Sequence, residues 1–454
     1  MFQKTSGLIF ISLLVGLYLL ALPAMAFSQT AETEDNGDGF LSDIDINGYF
    51  ENQTAYRIHT PNRISQFRNR LQVEIKGTAT ETFEYVVQLR GFHDAAYGYH
   101  KDDYPETVRD QYGSSLSEKK PLNEIIREFY VDILLDNMEF RLGKQQVVWG
   151  EAIGLRITDV VNPQDYREFI LDDFIDSRIP IWMAKANVFI NDWNIELLWI
   201  PVFEPDREAL PGSDWVWTFN DIDAPGTTIR EFNPEEPENE FVNSEAGIRI
   251  SGLAGGWNLS ASYLYVWDDS VTRHVEFNPM TYTLDVTQKY HRLPHWGFTF
   301  ANAFGSFVPR GEFSFAQGKQ YNTADDSAEE GLVQRDYLYY MLGSDYSLSN
   351  ATVTLQWVQK IVMDYDEDIY EPGIQTNYSL WIQANLINET LKPELLAIFN
   401  PVDEGWLVRP KIAYEITDAV TVTAGADILS GPTRSFFGQF EENDRVYARC
   451  KYNF

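Results

Sequence analysis

The side chains best suited to contacting a solute lie between positions 141 and 185. This stretch mixes guanidinium, amine, carboxylate, amide and indole groups within a short length of chain. Opposite charges held across a narrow passage create a transverse field, which orients dipolar or zwitterionic solutes and slows apolar ones. We therefore predict a ligand-contact site, and a constriction if the chain encloses a channel, formed by Arg141, Gln145, Trp149, Glu151, Arg156, Asp159, Asp165, Arg167 and Lys185.

The segment 150–178 should carry most of these residues on one loop. It follows a strand that ends at Trp149-Gly150, and it is too rich in Ile, Leu and Phe to be a free external loop. We expect it to fold inward and narrow a pore, with a short helix at 165–173 that begins at Asn162-Pro163. Charge pairs should tether Arg156, Asp159, Asp165 and Arg167 to Arg141 and Lys185. These pairs either brace the loop or form the constriction, and both roles are compatible.

The elements around this loop follow a period of two. Apolar and polar side chains alternate in 18 segments between residues 46 and 454, and alternate connections are tight turns and long links. An even strand count with short turns on one side and long loops on the other is typical of an outer-membrane β-barrel. We predict an all-β transmembrane antiparallel barrel of about 18 strands, with 16 as the alternative count.

The C-terminal strand shows the two faces that such a barrel requires. Lipid would cover one face and water in the lumen would wet the other. The final aromatic residue resembles the signal that outer-membrane barrels present to the barrel assembly machinery. The apolar face carries Val446, Ala448, Cys450, Tyr452 and Phe454, and the polar face carries Tyr447, Arg449, Lys451 and Asn453.

The N-terminal region predicts export. An apolar run after Lys4 ends in Pro23-Ala24-Met25-Ala26, which supplies a helix breaker and an A-x-A cleavage site. We assign 1–26 to a signal peptide, 27–45 to an acidic N-terminal segment and 46–454 to the barrel. Together with the strand pattern, this predicts the outer membrane of a Gram-negative cell.

The charge is unevenly distributed. The net charge of −33 disfavours nucleic-acid binding, which needs a basic surface. The acid excess falls in the predicted external loops, where divalent cations would bridge it to lipopolysaccharide. Inward positions lean basic, and five of them on neighbouring strands form a candidate basic ladder for guiding anions: Lys392, Arg409, Lys411, Arg449 and Lys451.

One acidic run partly matches a calcium-binding loop. Glu34, Asn36, Asp38 and Asp45 occupy the first, third, fifth and twelfth positions of an EF-hand pattern, with Gly39 at the sixth. Glu at the first position, Asp at the twelfth and the lack of flanking helices depart from that pattern. The alternative is a disordered acidic linker, and we expect no other cofactor.

The central motif resembles a known family. The residues that carry the resemblance are Arg141-Leu142-Gly143-Lys144-Gln145, Val147, Trp149-Gly150-Glu151, Asn162-Pro163 and Asp165. They resemble the R-x-G-[RK]-Q-x-V-x-W-G-E and N-P-x-D signature of an uncharacterised family of proteobacterial outer-membrane, porin-like barrels, catalogued as a domain of unknown function. The resemblance is specific from the hairpin before Gly143 to the strand at 193–204. It implies a porin-like barrel, and some such proteins accompany genes for handling hydrophobic compounds such as sterols.

These observations predict a channel for the diffusion or selective uptake or export of small solutes, which are anionic, zwitterionic or hydrophobic. A structural or adhesion barrel without conductance is the alternative, and an outer-membrane hydrolase is a more remote one. We expect no enzyme, because the six histidines accompany no G-x-S-x-G, H-E-x-x-H or Cys cluster. The barrel could be a monomer or, as in many porins, a homotrimer, with a lumen that loop 150–178 leaves open or plugs.

Overall fold

Period-two alternation along the chain produces a single closed sheet. The structure is a computed structural model that describes residues 43–100, 103, 105, 125–217, 227–325 and 327–454. The predicted signal peptide and almost all of the predicted acidic segment lie outside these ranges. The described strands are β1 (Asp43–Arg57), β2 (Arg63–Thr80), β3 (Phe83–Asp94), β4 (Ile126–Leu135), β5 (Met138–Gln145), β6 (Ile181–Ile190), β7 (Trp193–Ile200), β8 (Thr228–Glu231), β9 (Glu245–Ala254), β10 (Trp257–Trp267), β11 (Thr272–Asn278), β12 (Thr283–Lys289), β13 (Arg292–Ala301), β14 (Phe307–Asn322), β15 (Leu332–Ser347), β16 (Ala351–Val362), β17 (Ile374–Ala384), β18 (Leu391–Phe399), β19 (Trp406–Glu415), β20 (Val420–Ser430) and β21 (Arg445–Asn453).

Eighteen of these strands form an antiparallel barrel in which each strand pairs with its neighbours along the chain. The first and last strands close it, with Phe50 opposite Tyr452 and Arg57 opposite Arg445. This confirms the predicted fold and the count of 18, and the alternative of 16 strands is wrong. Closure removes the free sheet edges that would otherwise expose unpaired backbone groups.

Alternation assigns opposite environments to the two faces of the wall. Outward residues remain exposed although they are large and apolar, as with Leu71, Leu142, Trp296, Leu355 and Ile412. Inward residues are charged or polar, and many contact the loop 150–178. An apolar exterior and a polar interior are the arrangement that a barrel in lipid requires.

A second, smaller sheet lies in the long links. It contains β8, β11 and β12, with β11 antiparallel and β8 parallel to β12. The sequence analysis missed these strands because they are short and lie in strongly charged links. The helical segments are Ala95–Tyr99 and Phe174–Ser177, with 3₁₀ turns at Phe241–Asn243, Glu329–Gly331 and Gly438–Asn443. None of the helices in the described ranges has the length and hydropathy needed to span a membrane.

The buried apolar residues are concentrated where loops meet the inner wall. One cluster joins Val147, Trp149 and Val161 to β6, β7 and β10. A larger one surrounds Phe169 and contains Trp215, Ile398, Leu407 and Phe440. Because these clusters pack loops against inward positions, they hold the segment 150–178 inside the barrel.

Candidate channel constriction

The loop 150–178 crosses the barrel interior. It leaves β5 and returns to β6, yet it contacts β14 and β16 on one side and β2, β3, β19 and β21 on the other. These contacts show that the loop is folded inward, as the sequence predicted. It therefore narrows the passage through the barrel.

The two ends of the loop are joined by one buried amide. Asn162 is fully buried; its Oδ1 accepts a hydrogen bond from the Val147 amide at 2.8 Å, and its Nδ2 donates to the carbonyls of Gln145 and Ile179 at 3.2 and 2.9 Å. The fully buried Gln145 donates to the Met183 carbonyl on β6 at 3.2 Å. These two residues of the sequence motif thus fasten the base of the loop.

Two other motif residues have structural explanations. Gly143 has φ +139°, which L side chains rarely adopt, and a Cβ there would collide with the Phe129 carbonyl across the strand pair. The indole of Trp149 is buried and donates to the carboxylate of Glu196 on β7. Both residues fix the point at which the chain leaves the wall and enters the lumen.

The first part of the loop wraps around a single carboxylate of the opposite wall. Glu312, on β14, is fully buried. Its Oε2 accepts from the amides of Glu151 and Ala152 at 2.9 and 3.0 Å, and its Oε1 accepts from the amide and hydroxyl of Thr158 at 2.6 and 2.7 Å. Four donors on one carboxylate satisfy its charge without a cation and fix the course of residues 151–158.

The second part of the loop is held by arginines of β2, β3 and β21. Asp172 pairs with Arg68 at 2.9 Å, and Asp176 lies between Arg70 at 2.7 Å and Arg90 at 2.8 Å. A further buried pair joins the loop to β21, because the Glu168 carboxylate contacts Arg445 at 2.7 Å and Arg68 at 3.2 Å. The acidic loop therefore docks on a basic wall.

Burial and charge compete at these carboxylates. For Asp176, burial alone raises the pKa, but Arg70 and Arg90 outweigh it and lower the pKa to about 2. The pKa of Asp172 is also lowered, because Arg68 and Arg70 outweigh burial. For Glu168, burial dominates over Arg445 and Arg68 and raises the pKa. Asp172 and Asp176 are therefore ionised at neutral pH.

A cavity remains between this part of the loop and the wall. Its lining has eight basic and four acidic side chains, with Phe92, Tyr97 and Ile126 as neighbours. The basic ones are Arg68, Arg70, Arg90, Arg127, Lys144, Arg167, Arg178 and Arg207, and the acidic ones are Asp165, Glu168, Asp172 and Asp176. The lining thus contains four more basic than acidic side chains, eight against four, and two of the basic ones, Arg178 and Arg207, also pair with Asp159 and Glu204 outside it.

Arg127 enters this cavity because of an irregularity in β4. Glu128 pairs with Gln88 and Ile126 pairs with Leu89, so Arg127 is an extra residue that forms a β-bulge. Its guanidinium lines the cavity and donates to the carbonyls of Ile175 and Arg178. Within the described ranges it forms no ion pair with a carboxylate. Among the described residues, its side-chain hydrogen bonds go to backbone carbonyls alone.

The loop also carries an aromatic cluster inside the barrel. Phe169 stacks on Trp215 at 6.1 Å between ring centroids and contacts Trp217, Phe436 and Phe440 at 5.3, 5.1 and 4.8 Å. The Phe169 backbone has φ +55°, so packing holds it in a conformation that is uncommon for a side chain of this size. The side of the passage next to β18–β20 is thus apolar, whereas the side next to β2–β4 is cationic.

The tethering predicted for the loop is not the one observed. Arg141 pairs with Asp132 on the neighbouring strand at 2.7 Å, and Lys185 lies opposite Arg141 in β6. The loop charges pair mainly among themselves: Asp165 with Arg167 at 2.8 Å, and Asp159 with Arg156 at 3.7 Å and with Arg178. The prediction of pairs to Arg141 and Lys185 is wrong because the loop carboxylates that reach the wall meet arginines of β2, β3 and β21 instead; they are Glu168, Asp172, Asp173 and Asp176.

The predicted helix at 165–173 is also wrong. Residues 165–173 form turns and an isolated bridge, and the only helical turn in the loop is Phe174–Ser177. Asn162 cannot begin a helix because its side chain already bonds three backbone groups at the loop base. Glu151 contacts the wall through its backbone: its amide donates to Glu312, and its carbonyl accepts from Arg310 at 3.3 Å.

Four of the five residues in the predicted basic ladder are ion-paired. Lys451 instead lies over the Tyr49 ring at 4.0 Å. The paired ones are Lys392 with Glu415 at 2.5 Å, Lys411 with Glu394 at 3.0 Å, Arg409 with Asp427 at 2.7 Å and Arg449 with Asp173 at 3.5 Å. The cavity beside β2–β4 is lined by other residues, and none of the five predicted ladder residues belongs to its lining.

Sequence reasoning missed several residues of the constriction. Alternation places Arg68, Arg70 and Arg90 on the polar face of their strands, but nothing local indicates that they face loop carboxylates. Arg127 has the outward parity of its strand and only the bulge turns it inward. Glu312 stands in an alternating strand like any other acid, so its role became visible only through contacts with residues more than 150 positions away.

The calcium prediction is largely outside the described residues, because Glu34, Asn36 and Asp38 precede residue 43. Asp45 lies in β1, and its carboxylate accepts from Asn47 at 2.8 Å. Across the described part of the chain no three His, Cys, Asp or Glu side chains converge as a metal site would require.

Comparisons with solved structures agree with the fold. The chain is similar to OccAB2 of Acinetobacter baumannii, with a TM-score of 0.55 and 9% identity over 92% of this chain and 99% of that one. It is also similar to OccD3 (OpdP) of Pseudomonas aeruginosa, with a TM-score of 0.51 and 9% identity over 93% and 95% of the two chains. At these identities the likeness concerns the fold.

Comparison by sequence places the chain in a family. No curated protein matches it. A family model described as "Protein of unknown function (DUF1302)" matches residues 57–386, which include the constriction loop and its neighbouring strands. The match extends well beyond the segment on which the resemblance in sequence was most specific. The chain therefore belongs to the DUF1302 family.

Proposed function

We propose that this protein is an outer-membrane channel that admits small solutes past the loop 150–178 and favours anionic ones. Support for the location comes from the apolar outer face of the wall and from a fold shared with outer-membrane porins. The observation that carries the solute preference is the cavity beside β2–β4, whose lining has four more basic than acidic side chains. A positively charged passage of low dielectric concentrates anions and repels cations.

The fixed charges also favour solutes with a charged end and an apolar body. The cationic cavity and the aromatic cluster around Phe169 are built on the same loop, with Glu168 paired to Arg68 and Phe169 adjacent to it in sequence. Zwitterionic and hydrophobic solutes are thus further candidates. The excess of basic side chains in the cavity disfavours inorganic cations.

The first experiment replaces 164–177 by a short Gly-Ser linker and compares single-channel conductance in planar bilayers. Because the loop occupies the interior, we expect conductance to rise severalfold. In a salt gradient the intact channel should show a reversal potential of the sign for anion preference, and the replacement should reduce it. A matched control shortens the β11–β12 hairpin at 279–282, which lies outside the barrel wall and should leave both quantities near wild type.

A barrel that conducts neither with nor without the loop would contradict the proposal. That result would favour the alternative of a structural or adhesion barrel. Conductance with no change in reversal potential after loop replacement would show a general pore without anion preference.

A further inference from the structure

Asp176 occupies the centre of the cationic cavity in the way that a solute carboxylate would. Its two oxygens are shared between Arg70 and Arg90 at 2.7 and 2.8 Å. Two guanidinium groups on one carboxylate form a strong and directional anion site. The site is built from rigid strands, whereas the carboxylate that fills it comes from a loop.

The segment that carries Asp176 is weakly fastened on its exposed side. Phe174–Ser177 is a single helical turn, and its N-cap residue Asp173 makes no capping hydrogen bond through its side chain. Ile175 is 66% exposed, so no apolar packing holds that face. Its C-terminal end is anchored, because Ser177 bonds to Gln164 at 3.0 Å. Release of Asp176 would therefore leave residues 173–176 held to the wall through Asp173, which pairs with Arg449 at 3.5 Å, and through the Ile175 carbonyl, which accepts from Arg127.

Arg127 gives the cavity more cationic capacity than Asp176 uses. Its guanidinium donates to the carbonyls of Ile175 and Arg178. Asp176 and Glu128 act on Arg127 only through space, without a salt bridge among the described residues, so a ligand with a second negative group would gain a direct contact that Asp176 does not make. Exchange of one carboxylate for another at Arg70 and Arg90 replaces like contacts with like but costs the incoming ligand its translational freedom, and an added contact to Arg127 would offset part of that cost.

We propose that Asp176 is a tethered competitor for a carboxylate-binding site formed by Arg70, Arg90 and Arg127. A small dicarboxylate displaces Asp176 from Arg70 and Arg90, places its second carboxylate at Arg127 and releases the turn 174–177. The site deepens the proposed function and rests on it, since a solute must enter the lumen to reach it. The turn would then move aside as the solute binds, so occupancy and passage are coupled.

The test measures succinate binding to the folded, detergent-solubilised full-length protein by calorimetry. Asp176→Asn removes the competitor's charge, so we expect succinate to bind about tenfold more tightly than to wild type. Arg127→Gln in the otherwise intact protein should weaken succinate binding but leave acetate binding nearly unchanged. Asp173→Asn is the matched control, because it removes the same charge from the same turn and leaves the contacts of Asp176 intact; it should shift succinate affinity less than twofold.

Equal or weaker succinate binding by Asp176→Asn would overturn the inference, because it would show that Asp176 only shapes the site. So would equal loss of acetate and succinate binding in Arg127→Gln. Bilayer conductance is measured separately for each variant. If the protein conducts but the variants lack the predicted order of succinate affinities, the role of Asp176 as a competitor is refuted and the channel function is not. If the affinities follow that order but no variant conducts, the channel function is refuted and the binding site is not.

Discussion

At the scale of single residues, the constriction depends on a few buried carboxylates. Glu312 accepts four hydrogen bonds from residues 151–158, and Asp176 joins two arginines. A buried charge is tolerated only when such partners replace water. Replacing one carboxylate oxygen of such a residue by an amide nitrogen should therefore disrupt the loop more than the small change in side-chain size suggests.

Glu312→Gln should release the first part of the loop. The amide NH₂ would face backbone donors that now bond to an oxygen, and each lost bond to the charged acceptor is worth about 1.5–3 kcal/mol. We expect faster hydrogen exchange at the amides of Glu151, Ala152 and Thr158, and a larger, noisier single-channel conductance. The control Glu394→Gln removes a wall carboxylate that pairs with Lys411 and should leave this exchange slow. Unchanged exchange in Glu312→Gln would contradict the role assigned to Glu312.

Docking of the turn 174–177 should depend on pH in a defined direction. Arg70 and Arg90 outweigh burial and lower the pKa of Asp176 from 3.8 to about 2, so its contribution is complete above pH 3.8 and is lost as the pH falls to about 2. The Asp176-dependent part of the conductance should be constant above pH 3.8 and rise between pH 3.8 and 2, whereas protonation of Glu168, whose pKa burial raises, acts at higher pH. The step should be absent in Asp176→Asn. A transition between pH 5 and 7 in the wild type that this variant abolishes would contradict the assignment.

At the scale of elements, irregularities create the site. The bulge in β4 turns Arg127 into the cavity, and Gly143 allows the backbone of β5 to approach Phe129 before the chain leaves the wall. Asn162 then joins both ends of the loop. Each device departs from regular alternation, so an analysis based on alternation locates the strands and overlooks the departures.

The loop 150–178 also shows how far local sequence patterns can predict structure. Its apolar content correctly predicted that it folds inward, since exposed apolar surface is costly. Its helix and its charge partners were predicted wrongly, because both depend on which wall residues surround the loop. A local pattern such as Asn162-Pro163 permits a helix start, but the competing bonds of Asn162 decide against it.

At the scale of the whole molecule, the barrel separates an outer surface suited to lipid from a lumen that a loop divides. Tight turns such as 136–137, 191–192 and 349–350 lie at one rim, and the long links with the sheet β8–β11–β12 lie at the other. In an outer-membrane barrel the long links face the cell exterior.

This orientation predicts which rim is accessible on intact cells. In a Cys450→Ala background, Met280→Cys should react with a membrane-impermeant maleimide on whole cells, because residue 280 is 92% exposed in the β11–β12 hairpin. Ser349→Cys, at the opposite rim, should react only after lysis. Labelling of position 349 on intact cells without labelling of position 280 would show the opposite orientation.

The sequence by itself determined the barrel, its 18 strands, the face on which the residues of regular strands lie and the inward fold of the loop. These follow from alternation and apolar content, which are local properties of a chain in an extended conformation. Tertiary structure alone decided which charges meet, as when Arg445 reaches Glu168, 277 positions away. It also decided that a bulge directs Arg127 inward and that Asp176 fills the arginine site. Those outcomes depend on strand register and loop course, which are set by packing of distant segments rather than by any segment's own sequence.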